Sequence, residues 1–511
     1  MKMIKRIGCG LLAAAMAVTL AGCQKKNDKV VLEWWYRGNG IQPDTQLVQD
    51  TLNEKLSQYP GMENVEVHMN CYAAADYSTA VTLAMTAGKQ MDIINTVGLD
   101  FSDLCRDGAL IPIDKYLDQM PVLKDELPDW LWDIASFEDQ VYMVPNYQRA
   151  ASQVYLTTPK KYADAFADFD KLKALVGDPK SSVRDLADIF EQYLLAVRQA
   201  FPNEQKYLTP FAKPFTNTEG FKDFGDDVVQ DIRYFHDSHT LEHVYLTEKA
   251  REAYAVTADW FTKGYIHPDI LTVDFYANFE NANMENPVSH IFTFVNAIGD
   301  AELVSRQYTD VFGFETVATP VKDTYYIQNK WGAGGNGVSA SCKYPEEAMR
   351  FIELLNTEEG KEIYNLIVYG IEGKHYEKID DTHIKTLEYD SSQGGGSTSY
   401  AGIKWIIGNT FNAYLNQGCV DGENEITLAL NESSDTIKSD LIGFHTDTSK
   451  IETQISQLAS ITTEYNEALM YGVKGNDWEA YFNEFQNKLA LAGLEEVKTE
   501  LLAQVEEFLK D

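Results

Sequence analysis

Past its first 22 residues this sequence has no apolar run approaching the ~18 residues a membrane-spanning helix needs. With a mean hydropathy of −0.31, that excludes a polytopic membrane protein. Cysteine is scarce: six in 511 residues, with no Cys-x-x-Cys spacing, so this is no disulfide-stapled miniprotein. Positive charge is in short supply. Lys and Arg number 43 against 78 Asp and Glu, for a formal net charge of −35, and a field of that sign repels phosphate backbones. Nucleic acid is therefore not an expected partner. Nor is there an internal repeat of fixed period or an exposed apolar stripe, which an adhesin or scaffold would show. What is present is 44% hydrophobic side chains over 511 residues, enough for a large core and about three domain-sized units.

The N-terminus reads as an address. Lys2, Lys5 and Arg6 precede an apolar stretch from Ile7 to Ala21, broken by Gly8 and Gly10 and ending in Leu20-Ala21-Gly22-Cys23. This segment resembles a bacterial lipoprotein lipobox, which implies a signal peptide over residues 1–22 and Cys23 as the lipidated (palmitate-bearing) N-terminus. Its removal takes away three positive charges and no negative ones, from −35 to −38. Residues 23–29 then form a polar, basic tether near a membrane surface, and the body sits on the extracellular face of the cytoplasmic membrane. Export permits disulfides. Cys71, Cys105, Cys342 and Cys419 allow three pairings, none deducible from sequence, and buried free thiols are the preferred reading.

From Val30 onward, β-type and helical runs alternate. Val30–Trp35 looks like a strand, a helix opening near Pro43 places Leu47, Val48, Leu52, Leu56 and Tyr59 on one stripe, and Val65–Met69 alternates like a second strand. A helix from Tyr77 to Gly88, a strand at Asp92–Ile94 and a short helix from Asp100 to Asp107 complete the pattern. Such alternation implies parallel strands with right-handed crossovers, hence an α/β sheet with ligands beyond its carboxyl ends. Those ends lead into Trp34-Trp35-Tyr36-Arg37, Cys71 to Asp76, and Thr96 to Asp100. Strand alternation buries one Trp and presents the other. Farther on, Asp185–Ala200 and Ala253–Gly264 read as helices, Ser289–Val295 as a strand, and Ser391–Ser397 as a loop. Two helical stripes close the chain: Ile451, Ile455, Leu458, Ile461, Tyr465, Leu469, then Leu494, Val497, Leu501, Val505, Phe508.

Two signals are set aside. Gly332 to Gly337 contains Gly-x-Gly-x-x-Gly, but Val338-Ser339-Ala340 stands where a dinucleotide site needs a helix to open. His236, His239 and His243, with Glu242, are spaced for one helical face that could hold a metal. No His-Glu-x-x-His accompanies them, a solvated cluster is the preferred reading, and no cofactor is expected.

Several elements resemble extracellular solute-binding proteins, family 1, of sugar ABC importers. Ala87-Gly88-Lys89-Gln90-Met91-Asp92-Ile93-Ile94 is similar to the family's third-strand signature, and Gly108-Ala109-Leu110-Ile111-Pro112-Ile113-Asp114 to the element that follows it. Tyr142–Pro145 through Val154-Tyr155-Leu156 resembles the interlobe crossing, with Tyr-Leu for the family's Tyr-Asn, and Val338–Ala348 the return strand and helix. Tyr369–Tyr376 and Ala492–Val497 resemble the C-terminal domain of oligosaccharide-binding lipoproteins of the aldouronate-transport type.

The resemblance implies an α/β, two-lobe fold of the periplasmic-binding-protein type II kind, with a hinge of two or three crossings and extra C-terminal helices. The expected parts are lobe 1 at 30–147 with 321–368 returning to it, lobe 2 at 148–320, and 369–511 as completion of lobe 2 plus a helical region. The implied function is capture of an oligosaccharide by lobe closure and delivery to the ABC permease, by a monomer. A sugar offers apolar faces and a rim of hydroxyls. Trp35, Tyr36, Tyr147, Trp331 and Trp405 are the candidate platforms, and Arg37, Asp76, Asp100, Arg149, Asn296 and Asn409 the candidate polar partners. Arg37 and Arg149 could also clamp a carboxylate if the sugar were a uronate. The competing reading, a surface glycoside hydrolase, needs two carboxylates across a sugar, and 78 acidic residues supply pairs by chance.

Overall fold

The β-branched and aromatic run Val30–Gly38 forms strand β1. Helix α1 (Thr45–Leu56) buries Val48, Leu52 and Leu56, while Leu47, expected on the same stripe, is exposed. Next come β2 (Val65–Ala73), α2 (Tyr77–Thr86), β3 (Ile93–Asn95) and α3 (Phe101–Arg106). β1 pairs in parallel with both β2 and β3, Val30 opposite Val65 and Trp34 opposite Ile93. The alternation read from the sequence is thus a parallel sheet whose carboxyl ends share one edge. β4 (Met143–Pro145) completes this first pass. The computed structural model that gives this architecture describes residues 29–165, 168–178, 180–204, 206–208, 225–272, 289–297, 299–322, 324–329, 334–390, 396–419 and 421–510. The expected signal peptide with Cys23, the residue Trp331 and most of the 391–397 loop lie outside them.

Beyond β4 the chain crosses to a second body through β5 (Gln153–Pro159). Helix α4 (Val183–Ala200) opens with a capping box between Ser182 and Asp185. An antiparallel meander follows: β6 (Gly225–Val229), β7 (Ile232–Phe235) and β8 (Thr240–His243). Then come α5 (Glu248–Thr262), β9 (Thr293–Ala297), α6 (Ala301–Phe312) and β10 (Thr316–Pro320). β5 lies between β9 and β10, antiparallel to both. The expected strand at Ser289–Val295 is split: Ser289–His290 pairs with Lys206–Tyr207, and only its end joins β9.

The chain returns through β11 (Tyr326–Ile327) to β12 (Gly335–Val338), which inserts antiparallel between β3 and β4. The glycines of the set-aside motif serve this insertion. A Cβ on Gly335 would meet the Val144 carbonyl oxygen at 2.1 Å and Pro145 Cα at 2.7 Å. Helices α7 (Pro345–Asn356) and α8 (Lys361–Tyr369) then cover the first sheet. After α9 (Glu423–Glu432), β13 (Ile437–Lys438) pairs in parallel with β11. The two predicted C-terminal stripes lie on α10 (Glu452–Met470) and α12 (Leu494–Phe508), with α11 (Trp478–Leu491) between them.

The two largest cores among the described residues lie one in each body. One gathers Leu32, Trp34, Val67 and Ile93 with Ile352, Tyr364, Ile407 and Ala413. The other gathers Leu156, Phe190, Tyr254 and Trp260 with Leu458, Phe485 and Val505. Residues 369–511 were expected to complete the second lobe. The packing divides them instead, because Tyr400, Ile407 and Ala413 find their apolar partners in the first core and the helices from Ile451 onward find theirs in the second. Three segments run between the bodies: residues 146–152, the stretch through β11, and the stretch following β13. The first two pair at one point, where Ser152 and Tyr326 exchange N–H···O bonds of 2.9 Å. Asn431 of α9 fastens the first crossing: its Oδ1 accepts from the Ala150 and Ala151 amides, each at 2.9 Å, and its Nδ2 donates to the Gln148 carbonyl at 2.9 Å.

Candidate functional site

The first sheet carries helices on both faces, so alternation along β1 buries every ring it places. Trp34 is 0% exposed, stacked on Tyr36 at 4.0 Å between ring centres, and its Nε1 donates to Asn336 Oδ1 at 3.0 Å. Trp35 points the other way, as alternation requires, yet is 5% exposed, stacked on Tyr72 at 5.3 Å with its Nε1 unpartnered. Tyr36 is buried with Trp34, and desolvation lifts its phenol well above the usual range. Of the four-residue run, Arg37 alone reaches the sheet edge half-buried, its guanidinium beside Gly98 of the loop after β3. Asp76 is exposed at the start of α2. Asp100, also exposed, caps α3: its Oδ1 accepts from the Asp103 amide at 3.0 Å and the Ser102 hydroxyl at 2.6 Å.

Above this edge lies a short 3-10 turn, Lys404–Ile406, that carries Trp405. Asn95, at the end of β3, donates to the Ile406 carbonyl at 2.6 Å, and Asn336 of β12 donates to the Ile407 carbonyl at 3.0 Å. These buried amides hold the segment over the carboxyl ends of the strands. Trp405 is half-buried there, and two cations rest against its ring: Arg149 Cζ at 4.4 Å from the centroid and Lys404 Nζ at 4.2 Å. Burial lowers the basicity of both. Arg149 further depresses Lys404, while Glu423 opposes the shift at each. Arg149 and Trp405, proposed separately from sequence, are thus brought together. Lys404 was missed, although its place next to Trp405 was a usable signal. Tyr147 and Asn409 lie deeper. Tyr147 is 3% exposed and donates to Glu432 Oε1 at 3.3 Å, with the Phe411 ring 5.0 Å away. Asn409 is buried and accepts from the Phe411 amide at 3.0 Å, capping its turn. Asn296 stands in β9 opposite Val154.

A cavity of ≈ 420 Å³ opens where the two bodies meet at this edge. Thr96, Asp100, Phe101 and Met143 line it from the first body, and Val228, Gln230, Phe444 and His445 from the opposite side. Phe101 and His445 face each other at 5.1 Å, and Arg106 Nη2 reaches Asp447 Oδ1 at 4.0 Å. Sequence reasoning found Asp100 here but none of the opposing residues, which come from a meander turn and a crossing without any periodic signature.

The histidines do not share a helical face, because the segment folds as the β7–β8 hairpin. His236 engages Asp226 at 2.6 Å, His239 the Tyr234 hydroxyl at 2.7 Å, and buried His243 the Thr462 hydroxyl at 3.2 Å. Among the described residues no group of three or more His, Cys, Asp or Glu side chains is placed to hold a metal ion. Cys71, Cys105, Cys342 and Cys419 are free thiols. No helix among the described residues is long and apolar enough to cross a membrane.

Residues 440–510 match a family described as a domain of unknown function, DUF3502. The chain is 24% identical over 440 residues to a carbohydrate ABC transporter substrate-binding protein of Streptococcus pneumoniae, covering 83% of this chain and 82% of that one. Among solved structures, the N-glycan transport solute-binding protein of Streptococcus pneumoniae superposes with a TM-score of 0.71 at 19% identity, over 94% of this chain and 100% of that one. The same protein in complex with Man5GlcNAc gives 0.61 at 20% identity, over 94% and 99%. An extracellular solute-binding protein of Bifidobacterium longum subsp. infantis gives 0.58 at 12% identity, also over 94% and 99%. The fold is therefore the two-lobe solute-binding fold, and the chain is related to substrate-binding proteins, not to enzymes.

Proposed function

We propose that this chain is the extracellular substrate-binding component of an ABC importer, lipid-anchored through Cys23, which captures an oligosaccharide by lobe closure and hands it unaltered to the permease. The observation that carries the reading is the cavity between the two bodies at the carboxyl edge of the first sheet, with Phe101 and His445 on its opposite walls. Open parallel sheets bind ligands at that edge. The S. pneumoniae relative named as a carbohydrate transporter subunit supports the ligand class. Asp100 and Arg37 serve as polar contacts, with Arg149 and Trp405 beside them. Asp76 is a candidate from the same edge and Asn296 from the second body, Trp331 remains a candidate outside the described residues, and Trp35, Tyr36, Tyr147 and Asn409 support the site from within the packed interior.

Both jaws belong to one chain, so a monomer suffices. Ligand that prefers the closed arrangement shifts the population towards it, and the permease reads that shape. Calorimetry and thermal melting across a panel of purified oligosaccharides test the proposal. The expected result is saturable binding by at least one sugar, a melting temperature that rises with its concentration by mass action, and recovery of the sugar without new reducing ends. No binding by any member, or cleavage of the bound one, would overturn it.

A further inference from the structure

We infer that the captured oligosaccharide is acidic, with a carboxylate or sulfate seated against Lys404 and Arg149 where both cations rest on Trp405. This rests on the binding reading above and specifies its ligand.

Two like charges lie within 4.4 Å of a single ring centre. The indole face attracts each of them, but each also repels the other, and both are partly withdrawn from water. Glu423 and Cys419 temper the charge of both, and Tyr308 that of Arg149. Glu423 Oε1 also receives the Gln307 amide at 3.5 Å. Lys404 makes no ion pair among the described residues, although this acidic chain pairs many of its lysines. Lys89, Lys171, Lys385 and Lys474, which also lack one, are all exposed and therefore hydrated; Lys404 is not. A half-buried ammonium without a carboxylate partner is costly unless something else supplies the negative charge. Its location says what that can be. The segment is tied by Asn95 and Asn336 to the ends of β3 and β12, and the next residue after Asn95, Thr96, lines the interlobe cavity. The segment that bears Lys404 is thus fastened to the strand edge that the cavity adjoins, and Arg149 lies in the first crossing between the two bodies.

The arrangement also changes what Trp405 does. A neutral sugar would need a bare ring to stack on, whereas this ring is already occupied by cations. Trp405 acts as their holder: it fixes the direction in which an ammonium and a guanidinium meet the acid, and only the guanidinium offers a planar fork.

The test uses the mature chain and titrates it with acidic oligosaccharides from glucuronoxylan, polygalacturonate and hyaluronan, with sialyllactose, and with a sulfated chondroitin disaccharide. Each has a neutral counterpart made by carboxyl reduction, desialylation or desulfation, so the arms separate carboxylate from sulfate. The expected result is one acidic binder whose affinity falls at least tenfold on neutralisation and declines with added salt. Lys404→Met should lower affinity for that acid to near the wild-type affinity for its neutral counterpart, with the circular dichroism spectrum unchanged. Arg149→Met provides a second variant with the same expectation. If the tightest ligand is neutral, or neutralisation leaves affinity unchanged, the inference falls while oligosaccharide binding stands. If no sugar of either kind binds, the binding reading falls with it.

Discussion

Trp34 and Trp35 on one side, and Trp405 on the other, show how one residue type serves two ends. The first pair sits on a regular strand in a sheet covered on both faces, so every ring the strand presents meets a helix. Trp405 sits in a short 3-10 turn, Lys404–Ile406, at the sheet edge, half-exposed, and its ring meets charges. Regular backbone inside a layered fold converts aromatics into packing. A short turn at the layer's edge leaves this ring half-exposed and in contact with charges. Composition alone does not separate the two cases, since the Trp34-Trp35-Tyr36-Arg37 run looked the richer binding surface.

The largest difference should be in stability. Trp34→Ala removes a fully buried indole and its bond to Asn336, and should cost about 3–5 kcal/mol in urea denaturation. Trp405→Ala, at a half-exposed position, should cost less than about 1 kcal/mol by the same measurement. Equal losses would erase the distinction. In binding the order reverses: Trp405→Ala should weaken the cognate oligosaccharide roughly tenfold by calorimetry, while Trp35→Phe should leave its affinity unchanged.

Smaller contrasts sharpen the picture within the sheet. Trp34→Phe leaves Asn336 Oδ1 with only the longer bond from Asn95 Nδ2, 3.3 Å, and should cost roughly 1 kcal/mol, whereas Trp35→Phe deletes a buried N–H without a partner and should be nearly neutral in thermal melts. The smallest effect is a pH dependence confined to the Trp405 side. Burial and Arg149 lower the Lys404 pKa, so its folded-state ammonium loses its proton before an ordinary lysine does. Affinity for an acidic ligand should fall as pH rises through that lowered pKa. Stability of the free protein should move the other way, rising with pH between that value and the ordinary lysine value near 10.5, because there the unfolded chain binds the extra proton. Lys404→Met should abolish both trends.

The parallel sheet, its helices and the C-terminal stripes were legible because each repeats a period of 2 or 3.6 over many residues. Val48, Leu52 and Leu56, or Leu494, Val497, Leu501 and Val505, announce their burial in this way. The site was legible only in part. Asp100 and Arg37 could be placed because they follow strands that the pattern located. His445 and Gln230 could not, since they stand in a crossing and a turn brought to the edge by tertiary packing. The histidines were misread as helical because a spacing of three and four residues also fits a short hairpin with a turn between its strands.

Asn431 bears on where the proposed closure would bend the chain. By gripping residues 148–151 against α9, whose Leu428 and Leu430 pack on the first core, it makes most of the first crossing a rigid extension of that body. Bending on this path is left to the peptide units around Ser152 and Gln153, just before Val154 and Leu156 enter the other core. The jaw's axle is therefore very short and passes through the Ser152–Tyr326 pair. Under the proposed closure, rotation about so short a path would displace few atoms near the pivot and leave both cores packed.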